Sequence, residues 1–248
     1  GFDRPKICVP LVGRSAEEII AQADQIRQSQ RSSAIDMVEL RGDYLDILPD
    51  YEVLDRLLAK VAEILPEKVL LFTIRSEAEG GEKLAFTTPT IYEINRHVIE
   101  KATADMVDIE LFSGAEQAEE MIGIAKEKGV KIIMSNHDFQ TTPDASTIVN
   151  RLRSMQDLGA DVAKIAVMPE NKMHVVNLLA ATAMMQEAYA EVPVVTMSMG
   201  KMGAISRISG QVFGSAITFA SFAEASAPGQ IPVDKMDEAL TLIEKYCN

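Results

Sequence analysis

Lys164 stands in Asp161-Val-Ala-Lys-Ile-Ala-Val167, a run whose other residues read as a buried strand. A lysine on the inner face of a strand is costly to bury unless it is paired, neutral or reactive. One strand–helix unit upstream, at the end of another apolar run, lies Ser135-Asn-His-Asp-Phe139. A neutral buried lysine can attack a carbonyl to form a Schiff base, and a neighbouring histidine can move the protons such chemistry requires. Glu79, in the acidic loop Ser76-Glu-Ala-Glu-Gly-Gly-Glu82, is close enough in sequence to a strand end to reach in and orient His137.

These groups work together only if strands bring them to one place. Apolar, β-branched runs mark strands near Ile7–Pro10, Ile35–Leu40, Val69–Ile74, Met106–Ile109, Lys131–Ser135, Val162–Val167, Val194–Met197 and Ala216–Phe219. Amphipathic stretches between them predict helices beginning near Ser15, Pro49, Pro89, Gly114, Asp144, Asn171, Gly203 and Val233. Ser15-Ala-Glu-Glu18 has capping-box spacing, and prolines at 49 and 89 suit a first helical turn. Eight strands alternating with eight helices over 248 residues predict an α/β fold, a (β/α)8 TIM barrel, as one domain spanning residues 1–248. A doubly wound sheet is the competing reading, but the turn after the first strand, Leu11-Val-Gly-Arg14, is not a glycine-rich phosphate loop.

In a barrel the chemistry gathers at the C-terminal ends of the strands. Period-two alternation puts Glu39 and Arg41 on one face, as it does Thr73 with Arg75, Ser135 with His137, and Met197 with Met199. Each feature has a plainer reading: Glu39–Arg41 as an ion pair, His137 as a structural histidine, Lys164 neutralised by Glu110. Their convergence at one end of four strands favours function. The turn Ser198-Met-Gly-Lys-Met-Gly203 resembles an anion-binding loop, although glycine punctuation alone explains it. His97, His137 and His174 lack ligand spacing, so no metal and no cofactor is expected.

A net charge of −13 argues against nucleic-acid or anionic-membrane partners, while leaving room for a few arginines around a small anion. No run of about 18 apolar residues predicts a membrane span, and Gly1 to Lys6 has no apolar signal-peptide core. Cys8 and Cys247 form no disulfide framework, which points to a reducing cytoplasm.

The motifs Val38-Glu-Leu-Arg41, Ile74-Arg-Ser-Glu-Ala-Glu-Gly-Gly81, Ser135-Asn-His-Asp-Phe139, Val162-Ala-Lys-Ile-Ala166, Thr196-Met-Ser-Met-Gly200, Ser206-Arg-Ile-Ser-Gly210, Ala216-Ile-Thr-Phe219 and Ser226-Ala-Pro-Gly-Gln230 occur in this order along the chain. Together they resemble the type I 3-dehydroquinate dehydratase family over essentially the whole length. The resemblance implies a (β/α)8 homodimer that dehydrates 3-dehydroquinate to 3-dehydroshikimate in aromatic amino acid biosynthesis. It implies Lys164 as the Schiff-base lysine, His137 as the proton-transferring histidine and Glu79 as its acid. Glu39, Arg41, Arg75, Arg207, Ser226 and Gln230 match substrate-binding positions, with Met199 and Phe219 as apolar walls. Pro10 departs from members that carry serine there. A class I aldolase or transaldolase is the alternative enzyme, and a barrel that binds a small carboxylate without turnover is the non-enzyme reading.

Overall fold

On five strands the inward residues are apolar low down and polar further towards the C-terminal end, and this gradient organises the site. The computed structural model describes residues 3–84, 88–222 and 228–247. Eight parallel strands run β1 (Lys6–Leu11), β2 (Met37–Arg41), β3 (Val69–Thr73), β4 (Met106–Glu110), β5 (Lys131–Asp138), β6 (Val162–Val167), β7 (Val194–Ser198) and β8 (Ile217–Ser221). Their spatial order is β7-β6-β5-β4-β3-β2-β1-β8. The remaining seam, β7 to β8, closes through the Val194–Ser215 bridge, where the Ala216 amide donates to the Val194 carbonyl at 2.8 Å. A two-residue strand, β9 (Ile231–Pro232), extends β8 on its outer side.

Helices α1 (Ala16–Gln28), α2 (Tyr51–Ile64), α3 (Thr88–Lys101), α4 (Ala115–Lys128), α5 (Ala145–Asp157) and α6 (Lys172–Met184) follow strands 1 to 6. After β7 come two short pieces, α7 (Ala204–Ile208) and α8 (Gly210–Phe213), and the chain ends in α9 (Val233–Cys247). The expected single helix near Gly203 is therefore split. Gly203 lies so close to the Ser198 carbonyl that a Cβ would meet its oxygen at 2.1 Å, and Ser206 ties both ends of this turn together. That tight turn directs Arg207 into the barrel.

Two other starts differ from expectation. α2 is capped by Asp50, whose side chain accepts from the Val53 amide, so Pro49 precedes the helix. The Ser15 hydroxyl caps Glu18 as the spacing predicts, but Glu18 bonds the Arg14 amide rather than completing the box.

Alternation sorts each strand into two cores. Outward residues such as Val9, Leu40, Phe72 and Ile165 pack beneath the helices with Ile19, Leu54 and Leu152. Inward residues Met37, Leu71, Ile133, Val162, Val195 and Ile217 fill the barrel with Cys8. One pleat higher stand Glu39, Thr73, Asp108, Ser135 and Lys164, all buried. Parallel register sets Ser135 beside Lys164 and Glu110 beside Ser135. An apolar floor thus carries a polar layer, which desolvates every charge in it.

Candidate active site

Lys164 is 3 % exposed, and its Nζ lies 3.3 Å from Asp108 and 4.6 Å from the centre of the Phe219 ring. The acid beside it is Asp108, not Glu110 as the sequence suggested. Asp108 sits one inward step lower on β4 and its Oδ2 is the oxygen that Lys164 reaches, whereas Glu110 meets Arg75 at 2.9 Å. Asp108 also accepts from Ser135 Oγ at 2.6 Å and from Arg75 at 2.9 Å. Burial alone would raise this carboxyl, but Arg75 and Lys164 outweigh it and hold Asp108 at about 2.

That shift carries a sign. A carboxyl held below its ordinary value of 3.8 stabilises the fold above that value and loses the contribution as pH falls towards 2. The stability gap between wild type and Asp108→Asn is expected to shrink by about 2 kcal/mol from pH 4 to pH 2. Urea unfolding across that range tests it, and a constant gap would rule out the ion cluster as its source.

His137 Nδ1 lies 2.9 Å from Glu79 Oε2, which also accepts the His137 backbone amide at 2.9 Å. Burial, then Arg75, Lys164 and Arg41, push the His137 ring well below its usual value, so the imidazole is neutral near pH 7. Burial first and Glu110 second raise Glu79 to about 7, against the opposing pull of Arg75 and a hydrogen bond from Asn136. Glu79 reaches this position because Ser76 caps a short turn over Glu77–Glu79 and Gly80 closes it at φ 85°.

The arginines divide into two kinds. Arg75 is held by Asp108, Glu110 and Ser135, so it is a hub of the protein's own ion network. Arg41 forks onto Asp43 at 2.9 and 2.7 Å, so the plainer reading of a Glu39–Arg41 ion pair does not hold. Glu39 instead accepts from Thr73 Oγ1 at 2.9 Å. Arg207 has no carboxylate partner among the described residues. Its Nη2 donates to the Pro228 carbonyl at 3.0 Å, its Nη1 meets the Phe219 carbonyl at 3.5 Å, and its buried Nε has no partner there. Burial lowers its hold on the proton only to about 10, so it stays cationic at neutral pH.

One cleft at the C-terminal end of the barrel gathers Glu39, Arg41, Arg75, Glu79, His137, Lys164, Met199, Arg207, Phe219 and Gln230, with Met197 and Phe139. Ser226 lies outside the described residues. The turn after β7 is not an anion loop: its Met199 and Gly200 amides already donate to the Val167 and Pro228 carbonyls. Sequence reasoning missed Asp108, Asp43 and Asn136. The first was legible as the lower inward acid of Met106-Val-Asp-Ile-Glu110, but Asp43 follows the strand and carries no periodic signal.

Fold and site define a (β/α)8-barrel enzyme whose one cleft gathers a buried lysine, a neutral imidazole and an arginine with no carboxylate partner among the described residues. Residues 7–247 match the family model described as type I 3-dehydroquinase. The chain is 44 % identical over 245 residues to the 3-dehydroquinate dehydratase of Salmonella typhimurium, covering 99 % of this chain and 95 % of the relative. The crystal structure of the Clostridium difficile type I 3-dehydroquinate dehydratase with covalent modified comenic acid superposes with a TM-score of 0.92 at 41 % identity, covering 98 % of this chain and 93 % of that one. The Geobacillus kaustophilus 3-dehydroquinate dehydratase also gives 0.92, at 34 % identity and the same coverage. The chain belongs to the type I 3-dehydroquinase family and is a hydro-lyase. The aldolase alternative is thereby set aside. Among the described residues, no helix is long and apolar enough to cross a membrane.

Proposed function

We propose that this enzyme dehydrates 3-dehydroquinate to 3-dehydroshikimate through an imine on Lys164. The observation that carries the reading is a buried lysine sharing one cleft with the Glu79–His137 pair and with an arginine that lacks an anion. Lys164, once its ammonium has given a proton to solvent, attacks the C3 ketone as the free amine, and loss of water from the carbinolamine gives an iminium that withdraws electrons from C2. His137 Nε2 takes the C2 proton, leaving an enamine. The enamine electrons expel the C1 hydroxyl, which leaves as water with the proton from His137. Water then hydrolyses the product imine and frees Lys164.

Arg207 is the group for the substrate carboxylate, because Arg41 and Arg75 are already engaged by Asp43, Asp108 and Glu110. Glu39 is left with acceptor capacity for a substrate hydroxyl, and Gln230 and Ser226 act from the segment after β8. Met199 and Phe219 wall the ring. Support for covalent chemistry comes from the Clostridium relative, solved with covalent modified comenic acid. Borohydride reduction in the presence of 3-dehydroquinate, followed by peptide mass mapping, tests the reading. A ligand-dependent adduct on Lys164 is expected, and a folded protein without one excludes the imine.

We further infer that residues 1–248 act as one catalytic domain in the cytoplasm, as a homodimer without nucleic-acid or membrane partners. For the dimer, the support is α6, apolar around most of its circumference, which leaves Met173 and Val176 exposed at 61 % and 50 %. Met173→Glu with Val176→Glu is expected to convert a two-chain particle into monomers in sedimentation. A two-chain particle that persists would move the interface elsewhere.

A further inference from the structure

Asn136 points away from the cleft. On β5 the inward residues are Ile133, Ser135 and His137, so Asn136 enters the layer between sheet and helices, where its neighbours on the strand are Ile132 and Met134. It is 4 % exposed. A carboxamide there costs free energy unless its donor and acceptor are both satisfied. Both are. Arg151 of α5 donates from Nη1 to Asn136 Oδ1 at 2.9 Å, and Asn136 Nδ2 donates to Glu79 Oε1 at 3.1 Å. Arg151 is itself steadied over the Phe112 ring, 5.7 Å from its centre.

The chemistry of the chain removes the ambiguity of the amide. A guanidinium only donates, so Oδ1 must face Arg151 and the NH2 must face Glu79. Glu79 then receives the amide on one oxygen and the His137 backbone N–H on the other. Both bonds favour the carboxylate over the acid. A carboxylate facing His137 Nδ1 can only accept, which puts the ring proton on Nδ1 and leaves the Nε2 lone pair for the substrate. A protonated Glu79 would donate to Nδ1 and move the ring proton to Nε2, the wrong tautomer for a base.

We propose that Asn136 and Arg151 are positioning residues that hold Glu79 as the acceptor for His137 Nδ1–H, and so select the tautomer competent to take the substrate proton. The proposal rests on the reading of His137 as the proton-transferring group. Glu79 also faces Arg75 from the end of β3, Asp108 and Glu110 from β4, and His137 from β5, while His137 faces Arg75, Lys164 and Arg41. Burial and Glu110 already hold Glu79 near neutrality, so the loss of one donor is felt in the working range.

Asn136→Leu is expected to lower kcat at neutral pH about tenfold, the scale of one hydrogen bond to a charged group, with KM nearly unchanged. The acid limb of its kcat profile should move up by about one pH unit, since Glu79 protonates more readily without the amide. Arg151→Met should shift both in the same direction by less. The double variant should be no worse than Asn136→Leu, because Arg151 acts through Asn136. Nitrogen-15 spectra of the His137 ring read the tautomer without substrate. Wild type is expected on Nδ1–H and Asn136→Leu on a larger share of Nε2–H. An Asn136→Leu enzyme that loses thermal stability but keeps the wild-type profile and tautomer would make Asn136 a strut and overturn the proposal. Should that variant not fold, Arg151→Met with an unshifted profile and tautomer overturns it equally. Wild type that fails to dehydrate 3-dehydroquinate defeats the functional reading instead, and the tautomer spectra still decide the positioning.

Discussion

Replacing Lys164 with alanine is expected to abolish turnover of 3-dehydroquinate while leaving a folded protein that still binds it. Lys164 is the only lysine lining the cleft among the described residues, so no other amine there can attack the ketone. Kinetically, loss of the covalent path should exceed about 10⁴-fold, beyond what removal of a general acid or base alone produces. The fold should stand because Asp108 keeps two partners, Arg75 and Ser135, after the amine is gone. Its carboxylate is not stranded, so the destabilisation should fall short of the about 3–5 kcal/mol that follows when a buried charge loses its only partner. Binding should persist because Arg207 is untouched, and calorimetric titration with substrate would show it. Near wild-type turnover in this variant would eliminate covalent catalysis. Lost binding with no adduct in wild type would instead make Lys164 a counter-ion in a carboxylate-binding barrel.

The same contacts explain what the sequence could and could not disclose. Strands were legible as apolar runs because barrel strands bury both faces, and the inner face showed where a polar residue interrupts such a run, as Lys164 does two residues after Val162. Alternation therefore placed Glu39, Arg41, Arg75, His137 and Lys164 on the inner face without any knowledge of register. Height within the barrel was not legible. Asp108 and Glu110 share a face, and only the stagger of β4 against β5 and β6 decides that the lower one meets Lys164. The partners of the arginines were hidden for a related reason. Local sequence gives no sign that Asp43, the second residue of the turn after β2, will fold back onto Arg41 and also accept the Arg75 and Glu82 amides. Once Asp43, Asp108 and Glu110 are counted, Arg207 is the one cleft arginine that lacks an anion among the described residues. The break between α7 and α8 falls at Ser209, beside a backbone approach of Gly210 to the Ser215 carbonyl that no side-chain pattern encodes.

His137→Ala should separate imine formation from everything after it. The residue stands on β5 with its ring against Glu79, and the Lys164 contacts to Asp108 and Phe219 do not involve it. Amine and ketone should therefore still meet, and borohydride should still trap an adduct on Lys164. What disappears is the only neutral imidazole in the cleft, kept neutral by burial and by Arg75, Lys164 and Arg41. Glu79 is a poor substitute, since its carboxylate faces the empty ring position from behind and is tied to Asn136 and the His137 backbone. The C2 proton should then leave slowly, with kcat reduced about 10²–10⁴-fold. Intact mass spectrometry under turnover should show the enzyme accumulating as its substrate imine, a species wild type passes through without storing. Free enzyme during slow turnover would mean that His137 is needed to form the imine, and normal turnover would remove the histidine from the mechanism. The order of these outcomes matters physically: the imine supplies the electron sink, and the base is useful only after that sink exists.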